Sequence, residues 1–525
     1  MLNVETSSGR WAPFCEQIAA FLDADVVTMT VDGETVRGYR SPDSPALWIR
    51  DHSDMLRGGR YFSEEVQSAV DCFARQQAAN GRIFDFVTLQ PVGGRENWET
   101  WVRVPVEADV EYRFVKAAYL AWQATGDDDW IDRKLPALER ALTYTLTHPW
   151  RWDARHGLVK RPYTIDTWDF DYTAGRHPWL NFRITDETFW GIMHGDNSGF
   201  FEASRLLARL YEHVGEEERA AVWRDRAEAL RKRANDLLFN GRFYTHFFRL
   251  TPAPDLGVDE REQLSLSNPM AINRGLADHD MATAILREYR RRRVSSGAFA
   301  EWFSIDPPFP AGIFGDDQLT PGAYCNGGIM PLVGGELARA SFEHGFEAYG
   351  TAILEQYRDM IVAQQASYLW YFPDGAPSSV ETSTSPEAMP TDGWGSSAML
   401  YAFVEGLAGI VDQGHSFRQV RLSPRWVAAG ERLARVRVGY PAGRGRFGYG
   451  FDHDPDRRTV RLNLEAEGSD VALRLLLPSG ARARRVLWGG REAPFREERV
   501  EASRYVCVEG RVKGWERVEV RYESA

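Results

Sequence analysis

The sequence predicts a mainly α-helical chain: a toroid of helical hairpins followed by a small C-terminal antiparallel β-sandwich. Three observations predict it. Apolar residues recur at helical spacing from about residue 48 to 412. The helices so marked come in pairs, separated alternately by short loops and by long, aromatic ones. From about residue 416 the texture changes to short alternating runs broken by Gly, Pro and Asp, as strands of a sandwich require.

Residues 1–47 read as an N-terminal segment with a short β-hairpin, because "TMTVDGETVRGY" alternates around Asp32-Gly33. Residues 48–415 carry the toroid, and 416–525 the sandwich. Helical spacing marks 62–79, 107–125, 131–147, 198–213, 216–238, 278–291, 323–343, 347–364 and 394–410, with weaker segments near 50–59 and 268–276. Gly126-Asp127 stops the second of these, and Asn240-Gly241 follows the fifth. Long loops between hairpins gather at one end of such a toroid, where function concentrates.

Composition excludes several classes. Of the 525 residues 43% are hydrophobic, enough for a large core and too many for global disorder. No apolar run reaches the ~20 residues of a membrane span, so no membrane partner is expected. The N-terminus has no basic stretch followed by an apolar one, so no secretory signal is read there. Cys15, Cys72, Cys325 and Cys507 lie far apart, which argues against a disulfide framework or a structural zinc and predicts a cytoplasmic protein. The net charge of −12 comes with no basic tract, so no nucleic-acid partner is expected. Homo-oligomerisation is left open.

Aromatics are 13% of residues, with 18 Trp, and they recur in polar loops: "ENWETW", "DTWDFDY", "HPWLNF", "AEWFS", "SYLWYF", "DGWGSS". Any single Trp reads equally well as core filling. Repeated in polar loops, they suit a cleft that stacks on sugars, whose C–H faces pack on rings while their hydroxyls bond to polar neighbours. The expected partner is a small carbohydrate.

Five segments carry candidate chemistry. In "LWIRDHSDM", Arg50, Asp51 and Asp54 read either as a helix cap with an ion pair or as a clamp on hydroxyls. In "RENWETWVRVPVEADVEY", Trp98 and Trp101 precede a helix that starts near Pro105, with Asp109 one turn in. "YTIDTWDFDY" holds Trp168, Asp169 and two further Asp. Calcium is the alternative occupant there, but the spacing is not an EF-hand loop and the aromatics favour sugar, so no metal is assigned. In "FWGIMHGDNSGFF", Asp196 stands at the mouth of a helix beside Trp190, His194 and Asn197. In "VETSTSPEAMPTDGWGSS", Glu381 occupies a polar loop before a helix that starts around Gly393. Two carboxylates each feeding a helix are candidates for an acid/base pair. No GxSxG, HExxH or phosphate-loop motif is present. His194, His246 and His415 are not at ligand spacing and read as structural. No cofactor is expected.

The order of these segments resembles the six-hairpin, (α/α)6-toroid glycosidases. It resembles glycoside hydrolase family 63 and its clan most, and family 78 α-L-rhamnosidases and glycogen-debranching-type enzymes more loosely. "WIRDHSDM", "VEADVEYRFVKAAYLAWQATGDDDW", "HGDNSGFFEASRLL" and "YCNGGIMPLVGGELARASFEHG" with "VETSTSPEAMPTDGW" carry the likeness, over about residues 47–415. The resemblance implies an inverting, exo-acting α-glycosidase with Asp196 as general acid and Glu381 as general base. Glu387 is the alternative base. Inversion implies carboxyls roughly 6.5–9.5 Å apart. Asn197 and Ser198 would cap the helix and leave Asp196 to the leaving group. Trp48, Trp98, Trp168, Trp302, Trp370 and Trp394 are candidates for the pocket wall, and Arg50, Asp51 and Asp54 for holding the terminal sugar. Arg57, Arg95, Arg103 and Arg161 leave room for an acidic aglycone. The other readings are a rhamnosidase-like enzyme, a toroid phosphorylase and a non-catalytic sugar-binding toroid.

Overall fold

The computed structural model describes residues 1–89, 107–168, 184–314, 319–379 and 389–524, and the backbone of 98–101. Within them lie twelve α-helices: α1 (Trp11–Ala24), α2 (Ile49–Gly59), α3 (Ser68–Arg75), α4 (Val110–Thr125), α5 (Asp128–Thr147), α6 (His194–His213), α7 (Glu217–Leu238), α8 (Ser267–Asn273), α9 (His279–Ser296), α10 (Pro331–Glu343), α11 (Glu347–Gln364) and α12 (Gly393–Tyr401). A π-helical turn, Ala402–Leu407, continues α12.

The even-numbered helices form a chain of contacts that closes. Each of α2, α4, α6, α8 and α10 packs on the next, α10 packs on α12, and α12 returns to α2. These helices are buried nearly all round: every residue of α4 from Val110 to Ala124 is buried, the condition of a helix with protein on every side. The odd-numbered helices flank them. In α7 only Ala220, Trp223, Ala227, Leu230, Ala234 and Leu238 are buried, a single stripe at spacings of three and four that packs on α6. Ring helices approach closely where glycine allows it; a Cβ at Gly335 of α10 would overlap the Ala398 backbone of α12.

Local chemistry sets the helix ends. Gly126 takes a left-handed conformation (φ 68°) and its N–H bonds to the Trp122 carbonyl, so α4 stops where the sequence predicts. The Asp127 carboxylate then accepts from Trp130 N–H (2.9 Å) and caps α5. Other boundaries move. The helix expected from 323 begins at Pro331, which occupies its first turn. The one expected over 62–79 is only Ser68–Arg75. The one expected from 198 begins at His194.

The second part is a ten-stranded sheet, with Leu2–Thr6, Leu433–Gly439, Arg446–Asp454, Thr459–Leu476, Ser503–Ser524 and Ala481–Trp488 adjacent in that order. Thr459–Leu476 shifts register on Ser503–Ser524 between Ala466 and Ser469, where Gly468 adopts φ 141°. Residues 1–47 contact both parts. Leu2–Thr6 adds to the sheet edge at Leu433–Gly439, and α1 packs on α11 and α12. The reason is burial: Val4 faces inward, and α1 buries Trp11, Phe14, Cys15, Ile18, Phe21 and Leu22 along one face. The hairpin Val26–Val31/Glu34–Tyr39 forms as expected, with Asp32 and Gly33 both at positive φ. The four cysteines are buried. Among the described residues no helix is long and apolar enough to cross a membrane.

Candidate functional site

Asp196 lies in the first turn of α6 and is fully buried. Arg161, in the strand Leu158–Pro162, places Nη1 3.3 Å from both Asp196 carboxylate oxygens, and its Nη2 donates to the Trp168 carbonyl (2.6 Å). Burial pushes the Asp196 pKa up; Arg161 opposes this, while Asp109 and Asp166 add to it. The net direction keeps the carboxyl protonated to higher pH than an exposed Asp.

Asn197 and Ser198 do not cap α6, contrary to expectation. Asn197 Oδ1 accepts from Val159 N–H (2.9 Å), and its Nδ2 donates to the Val159 (3.0 Å) and Met193 (2.8 Å) carbonyls, tying the helix to the strand that carries Arg161. Ser198 Oγ donates to Gly195 O and accepts from Arg274 Nη1, both at 2.9 Å. The cap position belongs to Met193, which makes no side-chain cap bond. The consequence for Asp196 is the expected one: its carboxylate is not engaged in capping.

A ladder of alternating charges adjoins it. Arg50 forks onto Asp109 (Nε–Oδ2 2.7 Å, Nη2–Oδ1 2.9 Å) and also bonds to Glu107. Arg113 reaches Asp109 at 3.5 Å and Asp54 at 2.5 Å, and the Trp394 indole N–H donates to Asp54 (2.9 Å). Trp394 meets Trp168 edge-on (centroids 5.9 Å), Trp168 meets Tyr324 (5.4 Å), and Tyr324 adjoins Trp370 (6.4 Å). The fold thus links Arg50, Asp54, Trp168, Trp370, Trp394 and Asp196, with Asp54 and Trp394 bonded across 340 residues of chain. Asp51 is buried next to them, its pKa pushed up to about 6 by desolvation and by Asp54, against the pull of Arg50.

Other predicted residues sit elsewhere. Trp302 is fully buried beside Gly334 and Phe299 and fills core rather than lining a wall. Trp190 is half-buried in the strand Trp190–Ile192, with Lys160 over its ring. Trp48 packs on Phe86 (4.0 Å). His194 Nδ1 bonds to the Thr245 carbonyl (3.1 Å), and its ring stacks on Tyr244. The backbone of Trp98 is in a strand paired with Phe86–Leu89. Glu381, Glu387, Asp169, Arg95 and Arg103 lie outside the described residues.

Arg57 and Arg161 are both buried and bonded within the protein. Arg57 bonds to Glu336 and lies 3.8 Å from Asp54, and Arg161 is engaged by Asp196 and Trp168. Asp166, in the segment read as sugar- or calcium-binding, accepts from Ser267 Oγ and from Thr167 N–H (2.6 Å), and its own N–H bonds to His246 Nε2 (2.9 Å). It anchors that loop. Sequence reasoning missed Glu107, Arg113 and Tyr324. The i,i+4 spacing of Asp109 and Arg113 was a signal for one of them.

No protein-family model and no curated protein matches the chain. Solved structures do. The fold is shared with glycoside hydrolases. The α-L-rhamnosidase of Dictyoglumus thermophilum superposes with a TM-score of 0.62 at 10% identity, over 99% of this chain and 50% of that one. Streptomyces avermitilis α-L-rhamnosidase, complexed with L-rhamnose, gives 0.60 at 14% identity, over 99% and 42%. The family 63 mannosylglycerate hydrolase of Thermus thermophilus gives 0.52 at 14% identity, over 74% of this chain and 99% of that one. The chain spans about half the length of the rhamnosidases it matches and aligns with nearly the whole mannosylglycerate hydrolase. Both families that the sequence resembles, 63 and 78, are represented among these structures.

Proposed function

We propose that the chain is an inverting, exo-acting glycoside hydrolase acting on a small α-linked glycoside, with Asp196 as general acid and Glu381 as general base. In this reading the closed ring of six helices is the inner layer of an (α/α)6 toroid, and the ten-stranded sheet is the C-terminal sandwich. The observation that carries it is the setting of Asp196: a desolvated carboxyl joined through Arg161 to Trp168 and its aromatic neighbours. A general acid must hold its proton near working pH, and burial supplies that. Arg161 fixes both the Asp196 carboxylate and the backbone of Trp168, so acid and stacking surface keep a constant relation. Arg50, Asp54 and Trp394 would meet the sugar's hydroxyls. The wide spacing of the four cysteines, with no CxxC pair, supports a reducing, cytoplasmic setting.

A rhamnosidase-like activity is the second reading. It is favoured by the likeness to the rhamnosidases, which extends over 99% of the chain where that to the mannosylglycerate hydrolase extends over 74%.

The test is a panel of α-linked disaccharides, glycosyl-glycerates and nitrophenyl α-L-rhamnoside, followed by proton NMR with and without phosphate. For an α-glucoside or α-mannoside, early release of β-anomer is expected, and Asp196→Asn should lower kcat roughly 10²–10⁴-fold. Turnover of the rhamnoside alone favours the second reading. Early α-anomer, or product that depends on phosphate, overturns the proposal.

A further inference from the structure

Three histidine and carboxylate side chains converge far from Asp196, where the ring meets the sheet. Asp128 opens α5, His213 ends α6, and His415 lies between the strands Ile410–Asp412 and Gln419–Leu422. One ligand atom from each lies within 4.8 Å of the other two, and His213 Nε2 is 2.8 Å from Asp128 Oδ1. We propose that Asp128, His213 and His415 form a binding site for a divalent ion of the zinc class, which staples the ring helix α6 and the flanking helix α5 to the sheet.

The donor set suits such an ion. Imidazole and carboxylate bind zinc at about 2.0–2.2 Å in tetrahedral geometry, and two histidines with one carboxylate leave a fourth position for water. His213 and Asp128 are partly exposed, so that position opens to solvent. The surroundings orient the ligands. The Trp122 indole N–H donates to the same Asp128 oxygen (2.9 Å) and fixes the carboxylate, as outer partners of metal sites do. The Trp122 ring packs on both imidazoles, with centroids at 4.8 Å from His213 and 5.0 Å from His415.

The backbone makes room for this convergence. A Cβ on Gly126, the left-handed residue between α4 and α5, would come to 2.8 Å of His415 Nδ1 and 2.7 Å of Ser416 Oγ. Glycine there lets the sheet loop seat its imidazole against the helical turn. Arg418 Nη1, 3.4 Å from His415 Nε2, is the cation that an incoming ion has to displace from that nitrogen or avoid by using Nδ1.

The experiment is calorimetric titration of the chelator-treated, desalted protein with zinc chloride at pH 7.5, paired with thermal melts. Expected are one zinc per chain, a rise in Tm on zinc addition, and a loss of affinity of at least tenfold in both His213→Ala and His415→Gln. His213→Ala changes an exposed side chain, so the result does not depend on the buried variant folding. Asp128→Asn should weaken binding less. No stoichiometric binding, or binding unchanged in both histidine variants and so held by others of the eleven histidines, overturns the proposal. The outcome is independent of whether the chain hydrolyses glycosides.

Discussion

Two arginine–carboxylate pairs show what position in this molecule does to one kind of contact. Inside the ring, Arg113 meets Asp54 at 2.5 Å with both side chains 2% exposed. On the sheet surface, Arg437 meets Glu465 at 3.1 Å with side chains 66% and 39% exposed. The bonds are alike; the surroundings are not. The surface pair exchanges freely with water and contributes little. The buried pair has given up its hydration, so each charge depends on the other and on its further bonds, Asp54 on Trp394 and Arg113 on Asp109. Such a ladder holds its members at fixed positions, which is what a site needs, and adds little net stability for the charges it contains.

The sharpest way to break this comparison is to remove one buried partner. Arg113→Ala should destabilise the protein by about 3–5 kcal/mol, because the buried Asp54 loses its nearest cation. A denaturant melt measures it, and a loss below about 1 kcal/mol would place the ring pair with the surface pairs.

A second test uses protons. Asp25 accepts from Gly393 N–H (2.7 Å) and Thr391 Oγ1 (3.0 Å) at the start of α12. Desolvation pushes its pKa up to about 7, with Asp51 adding to the shift and Arg40 opposing it. Asp392, its own pKa raised by burial, also faces it. The folded state then holds a proton that the unfolded state releases from about pH 3.8 upward. Stability from this group is complete below that pH and is lost as pH rises towards 7, by up to about 1.4 kcal/mol per pH unit. Asp25→Asn should flatten the fall of Tm between pH 4.5 and 7. An unchanged profile would mean that the group does not titrate in that window.

The smallest effect is expected on the sheet. Arg437→Ala should shift stability by less than about 1 kcal/mol, and less still in high salt. A larger loss would show that exposure is not what separates the two pairs.

Much of the helical part was legible. Period-three-and-four apolar spacing marked the ring helices, Gly126-Asp127 marked a true stop and restart, and Asp32-Gly33 marked a true hairpin. These are local signals, set by residues within a few positions of one another. α1 carried the same signal at Trp11, Phe14, Cys15, Ile18, Phe21 and Leu22 and went unread. Leu2–Thr6 had no such signal, since five residues at a sheet edge acquire their role from Leu433–Gly439. Trp302 and Trp168 looked alike in sequence, each in a polar stretch. One fills the core behind Gly334 and the other joins the aromatic cluster near Asp196, and neighbours distant in sequence decide which.

Local sequence was enough for most of the helices and for a carboxylate at the start of α6. The assembled fold was needed for the rest: that the ring closes from α12 to α2, that Asn197 ties α6 to a strand instead of capping it, that Arg57 and Arg161 are committed to internal partners, and that Asp128, His213 and His415 meet. The physical reason is range. Helix propensity, caps and turns are settled by contacts a few residues away, whereas burial, ion pairing and ligand sets depend on groups that only the closed ring and its sheet bring within a few ångströms.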